Sequence, residues 1–280
     1  MKTLRILLLT ILFPILLFAH KYEISVAAIF QNESKYLTEW IDYHQIIGVD
    51  HFYLYNNGSS DNFMDILKPY IDEGVVEVVD FPNTCLDKPW NYGTQPACYR
   101  AALERSRGES KWLCIIDIDE FLVPAKHKTL KKAFKQYPKA CKAIYANWLT
   151  FGTSYKYVKE GEWIITHLTK RAKIDNPNNH HGKSIVQPDF VVTCADPHFV
   201  ELMAPHGYFD GSGKQWNGGV NIDLVRIHHY TYRDEGFMRG EKSKRVRIWG
   251  YDPEQTIYKQ NDAYNEEDDY RMLEILYGLK

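Results

Sequence analysis

Two aspartates, Asp117 and Asp119, stand two positions apart where an apolar run ends. That run, Trp112-Leu113-Cys114-Ile115-Ile116, has the composition of a central sheet strand buried on both faces. Side chains two apart on an extended chain point the same way, so the pair is expected to share a face while Ile118 turns to the core. Two carboxylates at the carboxyl end of a buried strand offer the oxygen ligands that a hard divalent cation takes. Such an ion keeps open positions for phosphate oxygens and neutralises a departing diphosphate. Short D-x-D triplets also arise by chance at strand exits; the buried strand before this one is what gives it weight. His229 is a candidate third ligand from a distant part of the chain, its alternative being a hydrogen-bonded histidine at a strand end. His228 alternates in direction with it, so the two are not expected to face one ion.

Charged residues elsewhere suit phosphate. Arg233, Arg239, Lys242, Lys244 and Arg245 form a basic segment that either meets phosphates or is a solvated face. Lys183, beside His180-His181-Gly182, is a further phosphate candidate.

The elements that must position these groups are legible in the first half. Residues 24–30, 51–55, 75–81 and 112–116 read as strands, and residues 36–47, 63–70 and 95–107 as helices of suitable apolar spacing. Strands alternating with helices predict an α/β fold with a doubly wound, mostly parallel sheet and helices on both faces. Ligands of such sheets bind beyond the carboxyl ends of the strands, which collects Asn32-Glu33, residues 57–61 and residues 117–120 at one rim. Neither G-x-G-x-x-G after the first strand nor G-x-x-x-x-G-K-[ST] occurs, so the usual dinucleotide and P-loop readings lose support. Beyond a short helix at 128–137 and a strand at 143–149 the pattern loosens. Residues 162–169, 184–186, 190–192 and 225–230 read as strands, 203–221 as a long glycine-rich loop suited to a lid, and 272–279 as a capping helix.

Composition bounds the rest. A chain of 280 residues with 45% apolar content can bury a sizeable core. A net charge of -2 gives no basic face for nucleic acid. Five cysteines without C-x-x-C spacing make neither a zinc cluster nor a fully paired disulfide scaffold, and several read as small buried residues. Lys2 and Arg5 precede an apolar run from Ile6 to Ala19, the layout of a signal peptide or a short membrane anchor. The expected organisation is thus 1–20 as signal or anchor, 24–250 as the catalytic domain and 251–280 as a capping segment. The expected localisation is at a membrane through a single amino-terminal anchor, or exported after cleavage.

The stretches 26–40, 43–44 and 48–61, then Gln95, Asp117-Ile118-Asp119-Glu120-Phe121 and His229-Tyr230 with Arg233 and Phe237, resemble glycosyltransferase family 92 in the expected order. Tyr232-Arg233-Asp234 departs from the K-S that usually follows the closing H-Y motif. The resemblance implies a GT-A fold, a UDP-sugar donor, Mn²⁺ (or Mg²⁺) and transfer of a hexose, with galactose the first candidate, to a glycan or glycolipid. On that analogy Asp117 and Asp119 hold metal and donor, Asn32, Glu33, Asn57 and Asp61 hold the base and ribose, and His229 completes the metal shell. An inverting transfer needs a general base beside the acceptor hydroxyl. Asp210, Glu201 and Asp196 are the candidate bases, with His198 as a further base or an acceptor clamp. The alternatives are a non-catalytic nucleotide-sugar or glycan-binding protein, or a nucleotide-sugar pyrophosphatase.

Overall fold

The computed structural model describes residues 19–82 and 93–278. Its first half alternates as the sequence predicts: β1 (Tyr22–Phe30), α1 (Ser34–Ile46), β2 (His51–Asn56), α2 (Phe63–Asp72), β3 (Val76–Asp80), α3 (Thr94–Ser106) and β4 (Ser110–Ile115). The order β3-β2-β1-β4 is parallel throughout. Period-two alternation buries both faces. Ile24, Val26, Ala28 and Phe30 join Trp40 and Leu37 of α1 in one core, while Ala27 and Ile29 join Tyr99 and Leu103 of α3 in the other. Helices therefore cover both faces of this half. Gly48 ends α1 in the left-handed region at φ +96°, where a side chain would be strained.

The second half is built differently: β5 (Glu120–Pro124), α4 (Leu130–Phe134), β6 (Ala143–Thr150), α5 (Ile164–His167), β7 (Lys170–Arg171), β8 (Gly182–Val186), β9 (Val191–Cys194), β10 (Val200–Leu202), β11 (Tyr208–Asp210) and β12 (Val225–His229). Then follow α6 (Glu235–Phe237), a π-helical turn (Met238–Lys242), α7 (Ser243–Ile248), α8 (Lys259–Ala263), β13 (Glu267–Asp268) and α9 (Arg271–Tyr277). The main sheet continues from β4 as β8-β6-β12-β5, and β11 also pairs with β6. β8 is antiparallel to both β4 and β6, and β5 is antiparallel to β12. The expectation of a mostly parallel sheet is corrected on this side: without long helical crossovers, these neighbours pair antiparallel. β6 also changes partner along its length, pairing with β8 and β11 through residues 143–147 and with β12 through 148–150.

β5 follows the acids directly and was not foreseen. It is the edge of the sheet, and side chains of α1 take up its free backbone groups. Trp40 Nε1 donates to the Glu120 carbonyl at 2.9 Å, Tyr43 donates to the Leu122 carbonyl at 2.9 Å, and the Leu122 amide donates to His44 Nε2 at 3.2 Å. Burial keeps that imidazole neutral, pushing its pKa down to about 3. Residues 162–169, expected as a strand, contain the short α5 instead. The buried Glu39 carboxylate accepts from the Ile164 and Ile165 amides at 3.1 and 2.9 Å and starts that turn. The expected lid at 203–221 contains β11 and is pinned to the sheet.

Cys98, Cys114, Cys141 and Cys194 are buried and unpaired, while Cys85 lies outside the described residues. The expectation of a membrane localisation through a single anchor is not borne out: among the described residues no helix is long and apolar enough to cross a membrane. Residues 1–18, on which the anchor and signal readings fall, lie outside the described residues.

Candidate active site

Asp117 and Asp119 line one cavity but take their partners from different strands. The chain leaves β4 and turns, with the Glu120 amide donating to the Asp117 carbonyl at 3.1 Å. Asp117 is held on both oxygens. Oδ1 accepts from Tyr99 at 2.8 Å and Gln95 at 3.0 Å, and Oδ2 lies 2.8 Å from Lys183 Nζ. Lys183 is 1% exposed. Burial works against its charge, yet Asp117, with Glu120 behind it, pushes its pKa up to about 12. Gly182, next to it, lets β8 close on β6, since a Cβ there would meet the Ala146 carbonyl oxygen at 2.2 Å. Glu120 is wholly buried and accepts from the Asp117 amide at 2.9 Å. Burial drives its carboxyl well above the usual range, and Asp117 and Asp119 add to this against Lys183.

Asp119 has a different partner. Its Oδ2 lies 3.7 Å from His229 Nε2. The pairing of β5 with β12, in which Glu120 is opposite His229, and a 2.9 Å bond from the Tyr230 amide to the Asp119 carbonyl fix this approach. Burial opposes the charge on Asp119, but His229 beside it, with Arg233 and Lys242 further off, holds its carboxyl well below the usual range. His229 packs against Trp148, the ring centroids 4.2 Å apart and the planes tilted by 48°. His228 is turned into the interior, toward Arg226 and Asp269.

A cavity of about 660 Å³ opens beside these groups, lined by Asn32, Glu33, Asn57, Asp117, Asp119 and, from the far side, Arg245 and Trp249. The loops after β1 and β2 tie to each other at its rim. The Asn32 amide donates to Ser59 Oγ at 2.9 Å, the Ser60 amide to Asn32 Oδ1 at 2.8 Å, and the Ser34 amide to Asp61 Oδ2 at 2.8 Å. Arg233 does not line this cavity's wall: its guanidinium donates to Glu33 at 2.7 Å and lies 3.8 Å over the Tyr36 ring. Arg233 adopts φ +50°, a left-handed conformation that costs a side-chain-bearing residue roughly 1–2 kcal/mol. Burial raises the Glu33 pKa and Arg233 opposes the rise. Lys242 lies nearby; burial lowers its pKa while Asp119 opposes.

The donor set at Asp119 and His229 is a carboxylate oxygen and an imidazole nitrogen, which fits Mn²⁺ better than Mg²⁺, an ion of oxygen ligands. Among the described residues no group of three or more His, Cys, Asp or Glu could hold an ion alone, so ligand oxygens and water must fill the other positions. Both Asp117 oxygens already have protein partners.

The three acids of the second half lie apart from one another. Asp210 is 2% exposed, with Oδ1 accepting from Ser212 Oγ at 2.7 Å and the Ser212 amide at 2.8 Å, and Oδ2 from Asn221 at 2.8 Å. Glu201 is exposed on β10. Asp196 Oδ1 accepts from the His198 amide at 2.7 Å in the turn between β9 and β10. His198 Nδ1 lies 2.8 Å from the Gly182 carbonyl, its ring beside Trp148 and His181. Sequence reasoning missed Tyr99 as a partner of Asp117 and Trp249 as a cavity wall. Neither carries a sequence signal beyond that of an ordinary aromatic.

The family model for glycosyltransferase family 92 matches residues 20–272. Family 92 proteins of Oryza sativa subsp. japonica and Ricinus communis are each 27% identical, over 232 and 243 residues, covering 81% and 82% of this chain. One of Arabidopsis thaliana is 25% identical over 247 residues, covering 83% of this chain. The chain spans only 36%, 38% and 39% of the length of these three relatives. Among solved structures, S. aureus TarS in complex with UDP is similar at 13% identity and a TM-score of 0.38, over 60% of this chain and 47% of that one. Glucosyl-3-phosphoglycerate synthase from Mycobacterium tuberculosis is similar at 16% identity and a TM-score of 0.34, over 61% of this chain and 58% of that one.

Proposed function

The chain belongs to glycosyltransferase family 92, and from that premise we propose that it transfers a hexosyl group, galactose first, from a UDP-sugar to a glycan or glycolipid acceptor on a GT-A fold. The observation that carries this reading is the approach of His229, at 3.7 Å, to Asp119, which lines a 660 Å³ cavity together with Arg245. Asp119 and His229 would hold Mn²⁺ or Mg²⁺, which when bound supplies positive charge to the diphosphate leaving group.

The protein's own groups divide the remaining work. The tied loops bearing Asn32, Asn57 and Asp61, with Glu33 behind, take the uracil and ribose. Lys242 and Arg245 take the diphosphate; the two are three residues apart on the π-helical turn and α7. Asp117, fixed by Lys183, Gln95 and Tyr99, positions the turn that presents Asp119. In the transfer the acceptor oxygen bonds to the anomeric carbon, the bond to the diphosphate breaks with its electron pair leaving on the diphosphate, and the hydroxyl proton passes to a base. Asp196 is the acid we assign to that role: its second oxygen has no hydrogen-bond partner among the described residues, whereas both oxygens of Asp210 serve its own loop.

Calorimetry of UDP with residues 19–280, first with Mn²⁺ and then with a chelator, tests the reading. Metal-dependent binding followed by turnover of UDP-galactose with a saccharide acceptor is expected. UDP binding unaffected by the chelator would overturn the metal assignment, and absence of UDP binding in both would overturn the donor.

A further inference from the structure

A second cavity, of about 300 Å³, also has His229 on its wall. Trp148, Thr150, His229, Tyr232, Trp249 and Gln260 line it. Among the described residues its wall contains no carboxylate, and Lys242 is its only lysine or arginine. Aromatic surface with a few neutral hydrogen-bonding groups is a wall for a ligand with apolar faces and hydroxyl edges, not for an ion. The volume is at the small end of ligand cavities, roughly 300–1,000 Å³.

Three of the lining residues also carry polar atoms left without partners. Trp148 Nε1, Thr150 Oγ1 and His229 Nδ1 are each buried with no hydrogen bond among the described residues. Thr150 is only 2% exposed. An unsatisfied buried polar group costs about 1–3 kcal/mol, so three on the residues of one wall are an unusual concentration. They are an indole donor, a hydroxyl able to donate or accept, and an imidazole nitrogen. The cavity is also continuous in function with the larger one. Trp249 lines both, and His229, whose Nε2 lies 3.7 Å from Asp119, lines this one.

We infer that this smaller cavity binds one neutral pyranose residue of the saccharide acceptor, packed on the Trp148 and Trp249 rings and hydrogen-bonded through Thr150 and Gln260. Its description as the acceptor site rests on the sugar-transfer reading; the binding of a neutral sugar there does not.

The test is ligand-detected saturation-transfer NMR, with tryptophan fluorescence as a second readout. The probes are methyl β-galactoside, methyl β-glucoside, lactose and chitobiose, each with and without UDP and Mn²⁺. At least one probe is expected to bind saturably, and Thr150→Val and the exposed Gln260→Ala are each expected to weaken it fivefold or more while leaving UDP affinity unchanged. Arg245→Ala is expected to do the reverse. Three results would overturn the inference: no probe binding in either condition, binding that both variants leave intact, or displacement of the probe by UDP. If a probe binds and is lost in the variants while UDP never binds, the donor reading fails and this cavity stands.

Discussion

On one side of the larger cavity, Asn32, Glu33, Asn57 and Asp61 sit where β1 and β2 end, and most of the bonds that shape their loops run to the neighbouring loop of the same parallel half. On the other side, His229, Lys242, Arg245 and Trp249 come from short elements, and what places them comes from far along the chain. The Asp119–His229 approach spans residues 110 apart, Lys183 reaches Asp117 across 66, and Arg233 reaches Glu33 across 200. The first side is redundant: several weak local bonds hold each loop. The second depends on contacts between residues far apart in the chain. A site assembled this way is expected to fail by small steps on one side and by whole units on the other.

The largest effect should follow from cutting the tether between the halves. Lys183→Met leaves Asp117 and Glu120 without their buried cation and is expected to cost about 3–5 kcal/mol of stability in urea unfolding. A loss under about 1 kcal/mol would mean that the second side is as redundant as the first. Asp119→Asn comes next. It is expected to lower UDP-sugar turnover by about 10²–10³-fold with the melting temperature near that of the parent, as for removal of a group that stabilises developing charge. Turnover within tenfold of the parent would remove Asp119 from the metal site.

A pH experiment probes the same contrast through Glu39, whose carboxylate starts α5 from the other half of the chain. Burial pushes its pKa up to about 7 against the two amides that favour its charge. An acid whose folded pKa is raised binds a proton more tightly in the folded state. Its contribution is therefore fully present below the unfolded pKa, about 4.3, and is lost as pH rises toward about 7. The parent is expected to lose about 3 kcal/mol over that window relative to Glu39→Gln, read from paired urea midpoints. Parallel pH profiles for the two proteins would show that Glu39 is ionised throughout. The smallest effect is expected at the redundant rim: Ser59→Ala removes one acceptor for the Asn32 amide and should change UDP affinity by fivefold or less, about 1 kcal/mol. A loss of a hundredfold would break the comparison.

This asymmetry also explains what could be read from the sequence. The parallel half announces itself through local periodicity: Leu37, Trp40, Ile41 and His44 on α1, and the apolar runs of β1 and β4, are patterns within a dozen residues. The rim residues at their ends follow from the geometry of such sheets. The separate partners of Asp117 and Asp119 could not be read, because Lys183 and His229 arrive on strands that the local pattern does not pair. The antiparallel β8 and the edge strand β5 were hidden for the same reason. The edge is legible only once Trp40, Tyr43 and His44 are seen to serve it.

The charge cluster behind β12 bears on the order in which the protein becomes competent as it is synthesised. Asp269 Oδ2 takes Arg226 at 2.8 Å and Arg171 at 3.3 Å, and its backbone amide bonds to the Thr169 carbonyl at 2.7 Å. Arg226 is on the strand that ends in His229. A nascent chain that has emerged through β12 still carries two half-buried arginines without their carboxylate. The parallel half can settle on the ribosome as it emerges, but the strand that faces Asp119 is secured only some forty residues later, so the catalytic rim closes last.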